Sequence, residues 1–245
     1  METPRNLLDD IQRPPSARHI WRPENVYIDP TTFHEAYPEL SHIPMTYLRH
    51  SMRKVSRHFL EFPISPIQLP ASAEQLKLPM DTWPAVPSHI FKIPVLVGGQ
   101  LTFHFFPIHA HVFMVMCAKL KKLPLSLSSD PETQSSIQVP VVEYYVPAPL
   151  SFPLFQEHIY TMDHDLLKER FIGVRLPDLE RERDAVLSQI PLETLFVQAN
   201  LIHGFYNNAC DFGFYDEQTF DVIETCWNYL YRARHFQTGA TTRST

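Results

Sequence analysis

The stretch HFFPIHAHVFMVMC, residues 104–117, brings three histidines and a thiol within fourteen positions. Imidazole nitrogen and thiolate sulfur are the usual zinc ligands, so the first chemistry to test is a metal site. On a strand, His109 and His111 would project to one face as a chelating pair. Such a pair needs a carboxylate soon after it, and VFMVMCAKL contains neither Asp nor Glu. On a helix, side chains two positions apart diverge by about 200° and cannot share one ion. The expectation is therefore a structural histidine, His109, and an exposed one. A histidine–metal enzyme stays as the outside alternative.

The remaining candidates are weaker. Asp163, His164 and Asp165 in MDHDLL follow a short helical segment, where such residues cap a turn or the next helix. Cys210 and Cys226 lie on apolar helical faces without zinc spacing and read as buried free thiols. In PDLERERD the acids alternate with arginines, the pattern of a solvated helix surface that pairs with itself. No G-x-S-x-G, G-x-G-x-x-G, phosphate-binding loop or H-E-x-x-H is present. Six glycines leave little from which to build a phosphate cradle. Enzyme activity, a cofactor and a bound metal are not expected.

Periodicity indicates which elements carry these residues. HIFKIPVLVGGQLTFHFF reads as two extended segments, Ile90–Val97 and Leu101–Phe106, joined by a tight turn at Gly98-Gly99-Gln100. PIHAHVFMVMCAKLKK follows as a helix with Pro107 in its first turn, apolar on nearly all sides and so buried. QVPVVEYYVP is a third strand and PLSFPLFQEHIYTM a short helix. Two charged helical pieces occupy 163–190, and two amphipathic helices close the chain. The fold class is α+β.

Upstream, Met45, Leu48, Met52, Val55 and Phe59 recur at spacings of three and four, an amphipathic helix within 41–61. Ser41 is its start signal and Pro44 falls in its first turn. Its other face carries Arg49, Arg53, Lys54 and Arg57, possible partner-binding residues. The organisation expected is a Pro-rich, partly ordered arm over 1–40, this basic helix, and a Pro-rich linker over 62–88. One domain over 89–236 and a disordered tail over 237–245 complete it.

Twenty-three prolines against six glycines shorten the elements. A net charge of −6 argues against direct nucleic-acid binding by the whole molecule. Three cysteines without C-x-x-C spacing suit a reducing compartment. With no signal core and no run near the ~18 apolar residues of a membrane span, nucleus or cytoplasm is expected, without membrane association.

The order strand, strand, buried helix, strand, helix resembles the opening of a BTB/POZ domain. That family's pattern F-x-x-H-[RK]-x-[VIL]-L-A-A-x-[SC] aligns with Phe106 through Cys117, putting His109 on the family histidine and Cys117 on the Ser/Cys position. The later block F-x-x-L-L-x-F-[IM]-Y-T resembles FPLFQEHIYT, with Phe152 and Tyr160 at its Phe and Tyr. The resemblance implies that His109, Phe113, Cys117, Phe152 and Tyr160 are structural core. A narrower resemblance is to the clampless-type proteins of basidiomycete fungi. It rests on HIPMTYLR (His42–Arg49), KKLPLS (Lys121–Ser126) and VPVVEYYVPAPLSFPLFQEHIYT (Val139–Thr161), and covers roughly residues 40–235. It implies a regulator of clamp formation and of division of the two-nucleus cell after mating. Such a regulator works by binding transcription regulators, with a homodimer possible. A BTB adaptor of a cullin ubiquitin ligase is the alternative.

Overall fold

Gly98 (φ 57) and Gly99 (φ 82) both adopt left-handed backbone, which a two-residue hairpin turn of matching twist requires. They join β1 and β2 of the central hairpin, His89–Val97 and Gln100–Ile108, in register from Val97↔Gln100 to His89↔Ile108. In this computed structural model the described residues are 22–24, 27–60, 66–79, 85–121, 123–124 and 136–241. Those missing from these ranges include most of the expected arm, parts of the expected linker and residues 125–135.

Pro107 lies in β2 opposite Ile90, not in the helix that follows. β2 is an edge strand, where a missing N–H is tolerated. The helix, α1, is Ala110–Met116, and its described side chains are buried apart from His111. Strand β3, Ser136–Glu143, runs parallel to β1 through Ile90↔Val141 to Lys92↔Glu143. A further strand, β4 (Gln75–Pro79), pairs antiparallel with β3 and completes a mixed four-stranded sheet. It falls inside the expected linker. Gln-Leu-Lys-Leu alternates polar and apolar, but over only four residues inside a proline-rich stretch, too short a run to announce a strand by itself, and the pairing edge of β3 supplies the rest. Ile90, Phe105 and Val139 centre a small apolar cluster here, with Ile67, Leu76 and Ile137 packed on it.

The expected helix within 41–61 is α2, Met45–Val55, preceded by Pro44 as its cap and followed by a 3-10 turn over Ser56–Leu60. Ahead of it, α3 spans Pro30–Ala36 with Asp29 accepting the Thr31 N–H. The short helix after β3 is α4, Phe152–Thr161. Two charged helices follow, α5 (His164–Ile172) and α6 (Glu180–Leu187), then α7 (Leu192–Phe212) and α8 (Glu217–Thr241). α8 therefore continues through 237–241, part of the expected disordered tail. Gln237 Nε2 donates to the carbonyls of Ser188 and Ile190 there.

One domain over 89–236 was expected, yet the chain divides into two compact units. The first holds the described residues of 25–162 with Asn207–Tyr215; the second holds Asp163–Tyr206 with the described residues of 216–245 and of 1–24. The first unit contains the sheet and α1 to α4. Its core is a ring stack, Phe91 on Tyr144 at 4.5 Å and Tyr144 on Phe212 at 5.2 Å, both pairs nearly coplanar. Stacked and edge-on rings contribute beyond their buried area.

Candidate functional site

Of the residues weighed for chemistry, His109 and His111 meet at the junction of β2 and α1, while His104 stays within β2 and Cys117 lies past the far end of α1. His109 precedes the helix with extended backbone (φ −103, ψ 107). Because it stands outside the helical spiral, its ring does not diverge from that of His111. The two centroids lie 5.8 Å apart, edge to face. The 200° argument holds only where both residues are helical.

His109 is buried. The Tyr160 hydroxyl reaches it twice, accepting the backbone N–H of His109 at 2.8 Å and lying 3.0 Å from Nδ1. A hydroxyl that accepts from the amide has its own proton to give, so Nδ1 is the acceptor and the ring proton sits on Nε2. Burial, then the neighbouring His111, push the His109 pKa down to about 4, against a backbone hydrogen bond with Ala85 that raises it. Burial alone takes His111 to about 4. Phe59 lies 4.9 Å from the His109 ring and 5.1 Å from that of His111, and Tyr37 flanks His111 at 6.2 Å. The second histidine is thus shielded and neutral, where an exposed one was expected. Burial raises the Tyr160 phenol well above its ordinary range, against the His109 amide that lowers it.

A second polar junction lies beside the first and was missed. The Ala110 N–H, first of α1, donates to Ser88 Oγ at 2.7 Å. Ser88 Oγ lies 3.0 Å from His89 Nδ1, and His89 Nε2 lies 2.7 Å from the Pro124 carbonyl. A carbonyl only accepts, so Nε2 carries the proton, and Nδ1 shares the single Ser88 hydroxyl proton with the Ile108 carbonyl, 3.3 Å from Oγ. Burial depresses the His89 pKa, with the Pro124 bond working against it. A serine and a histidine opening a strand are a common pair, and nothing local marks them as the cap of a helix twenty residues on.

Phe113 and Phe152 are buried in the aromatic core, 6.5 Å apart and stacked. Cys117 is a buried free thiol raised by desolvation, with Arg49 pulling the other way. Its backbone bridges Phe214, and the neighbouring Lys119 N–H donates to the Phe212 carbonyl at 2.9 Å. Among the described residues, no group of three or more His, Cys, Asp or Glu could hold a metal ion.

The four basic residues of α2 and its 3-10 extension separate. Arg49 is half-buried and donates to the Tyr215 backbone carbonyl. Arg53 is also half-buried, whereas Lys54 and Arg57 are exposed. The apolar stripe shifts too. Leu48 is buried, Val55 is 44 % exposed and Ser56 is buried, donating to the Tyr160 carbonyl at 2.7 Å. The tighter pitch after Val55 rotates Ser56 and Phe59 inward.

In the second unit, Asp163 caps α5 by accepting the Leu166 N–H at 2.9 Å. His164 Nε2 lies 3.0 Å from Asp216 Oδ2, which also accepts from the backbone and hydroxyl of Thr219 at the start of α8.

Fold and site define an α+β protein whose motif histidines are ring-covered, the first of them also hydrogen-bonded to Tyr160, and whose basic helix shows Lys54, with Arg57 of its 3-10 extension, on the outside. The chain belongs to the Clampless protein 1 family: residues 23–147 match the model of its N-terminal domain and residues 165–245 that of its C-terminal domain. This membership suggests a role in clamp formation and sexual development. No curated protein and no solved structure matches the chain. Between the two models lies α4, with Phe152 and Tyr160.

Proposed function

We propose that this chain is a non-enzymatic regulator of fungal sexual development, acting in clamp formation and division of the two-nucleus cell by binding transcription regulators in the nucleus or cytoplasm. The observation that carries the reading is the neutral, ring-covered pair His109 and His111, with Tyr160 closing the first. The groups best suited to chemistry are engaged in packing, which leaves recognition to the exterior. Family membership supplies the biological setting. A BTB/POZ-like core is supported by the order hairpin, buried helix, and strand parallel to the first strand of the hairpin.

The test is affinity purification of the full chain from mating-stage cells, read by mass spectrometry. Recovery of transcription regulators is expected. Recovery of cullin complexes without them would favour the ubiquitin-ligase adaptor, and stoichiometric zinc in the purified protein would reopen the enzyme.

A further inference from the structure

The exposed side of α2 and its extension is chemically mixed. Tyr47 is 63 % exposed and Val55 44 % exposed. His50, Lys54, Arg57 and His58 are exposed beside them. Tyr47, His50, Lys54 and Arg57 follow one another at spacings of three and four, one continuous helical stripe. No Asp or Glu occurs from Met45 to Leu60, although the chain carries a net charge of −6. Among the described residues, neither Lys54 nor Arg57 has a carboxylate partner. Leu48, the Arg49 bond to Tyr215 and the Ser56 bond to Tyr160 hold the opposite side in the core. The stripe is therefore displayed on a fixed support and need not be ordered on binding, which removes part of the entropic cost of association.

We infer that this stripe is the docking surface for an acidic peptide segment that also carries apolar side chains, its carboxylates meeting Lys54 and Arg57 and its apolar groups covering Tyr47 and Val55. The inference rests on the protein-binding function proposed above and names the chemistry of the partner. Charge complementarity selects an acid, and the exposed ring and valine select an apolar component that a polyanion lacks. Two free cations suit nucleic acid poorly: neutralising two phosphates changes affinity only about tenfold over a fourfold change in salt, far short of a typical DNA-binding footprint.

The experiment is fluorescence anisotropy with the full-length chain and three labelled probes. These are a short peptide alternating Asp or Glu with Leu or Phe, the same peptide with serine at its apolar positions, and duplex DNA. The first probe should bind in a salt-sensitive manner, and the other two at least about tenfold more weakly. Lys54→Glu with Arg57→Glu should weaken the first probe about tenfold or more, Tyr47→Ala should weaken it separately, and Lys77→Glu should leave it unchanged. Near-UV circular dichroism of each variant should match wild type. Absence of binding, equal binding to the double reversal, equal binding of the serine peptide, or tighter binding of DNA overturns the assignment. So does self-association of the wild type that the reversal abolishes, which would give the face to a second copy. In purification from mating-stage cells, regulators retained by the double-reversal variant sink this inference alone. A wild type that recovers none sinks the function it rests on.

Discussion

Tyr160 gives its hydroxyl to one residue in two ways, and this couples a helix end to the start of another helix through a single side chain. Tyr160→Phe leaves a buried amide and a ring nitrogen of His109 without that partner and should cost about 1–3 kcal/mol, read from urea denaturation. His109→Ala removes the acceptor and opens a void under Phe59. A loss of about 2–4 kcal/mol is expected, and the double variant should lose less than the sum of the two. The two motif histidines also set a pH dependence. Both have folded pKa values of about 4, below the ordinary 6.5, so between those limits the unfolded chain binds protons that the folded chain refuses. Stability is therefore complete above about pH 6.5 and declines as pH falls toward 4, by on the order of 2–3 kcal/mol per ring. Urea midpoints at pH 7 and pH 5 check this, and His111→Gln should reduce the difference between them.

At the scale of elements, connections far apart in sequence decide how the helices sit within the first unit. Ser56 ties the end of α2 to the Tyr160 carbonyl, and Ser56→Ala should cost about 1 kcal/mol and speed amide exchange over residues 45–60. Asn208 clamps Ala148 from both sides, accepting its N–H at 3.0 Å and donating to its carbonyl at 2.9 Å, so the loop before α4 is fixed by the end of α7. Gly213, at φ 64, lies where a Cβ would stand 2.8 Å from Lys119 Cγ and 3.0 Å from its backbone nitrogen. Gly213→Ala should destabilise by more than the roughly 1 kcal/mol of left-handed strain alone, whereas the same change at Gly99 meets open space and should cost only that strain. Thermal melts of the two variants compare them directly.

At the scale of the molecule, the division into units does not follow the chain. α7 contributes Asn207–Phe212 to the first unit and its earlier residues to the second. Phe212 stacks on Tyr144, and Phe214 meets Phe155 edge-on at 5.9 Å. A fragment of residues 23–162 would lack both rings. It should bind hydrophobic dye and lose its near-UV dichroism, while the full chain shows neither change. A fragment that folds with native near-UV signal would show that the ring stack is dispensable.

What local sequence determined is what local physics can impose. Gly98 and Gly99 set the hairpin because left-handed backbone at adjacent positions has one common use there, and the register follows from the turn. Unbroken apolar character placed α1 in the core, and PLSFPLFQEHIYTM read as the short helix that α4 is. Tertiary structure alone decided where polar atoms find partners. Whether Arg49 faces a carbonyl or solvent, whether His111 is covered, and whether Gln75–Pro79 becomes a strand depend on groups brought close by the fold from distant positions. Periodicity assigns a face to a side chain. What stands opposite that face is settled only when desolvation and hydrogen bonding are satisfied together in three dimensions.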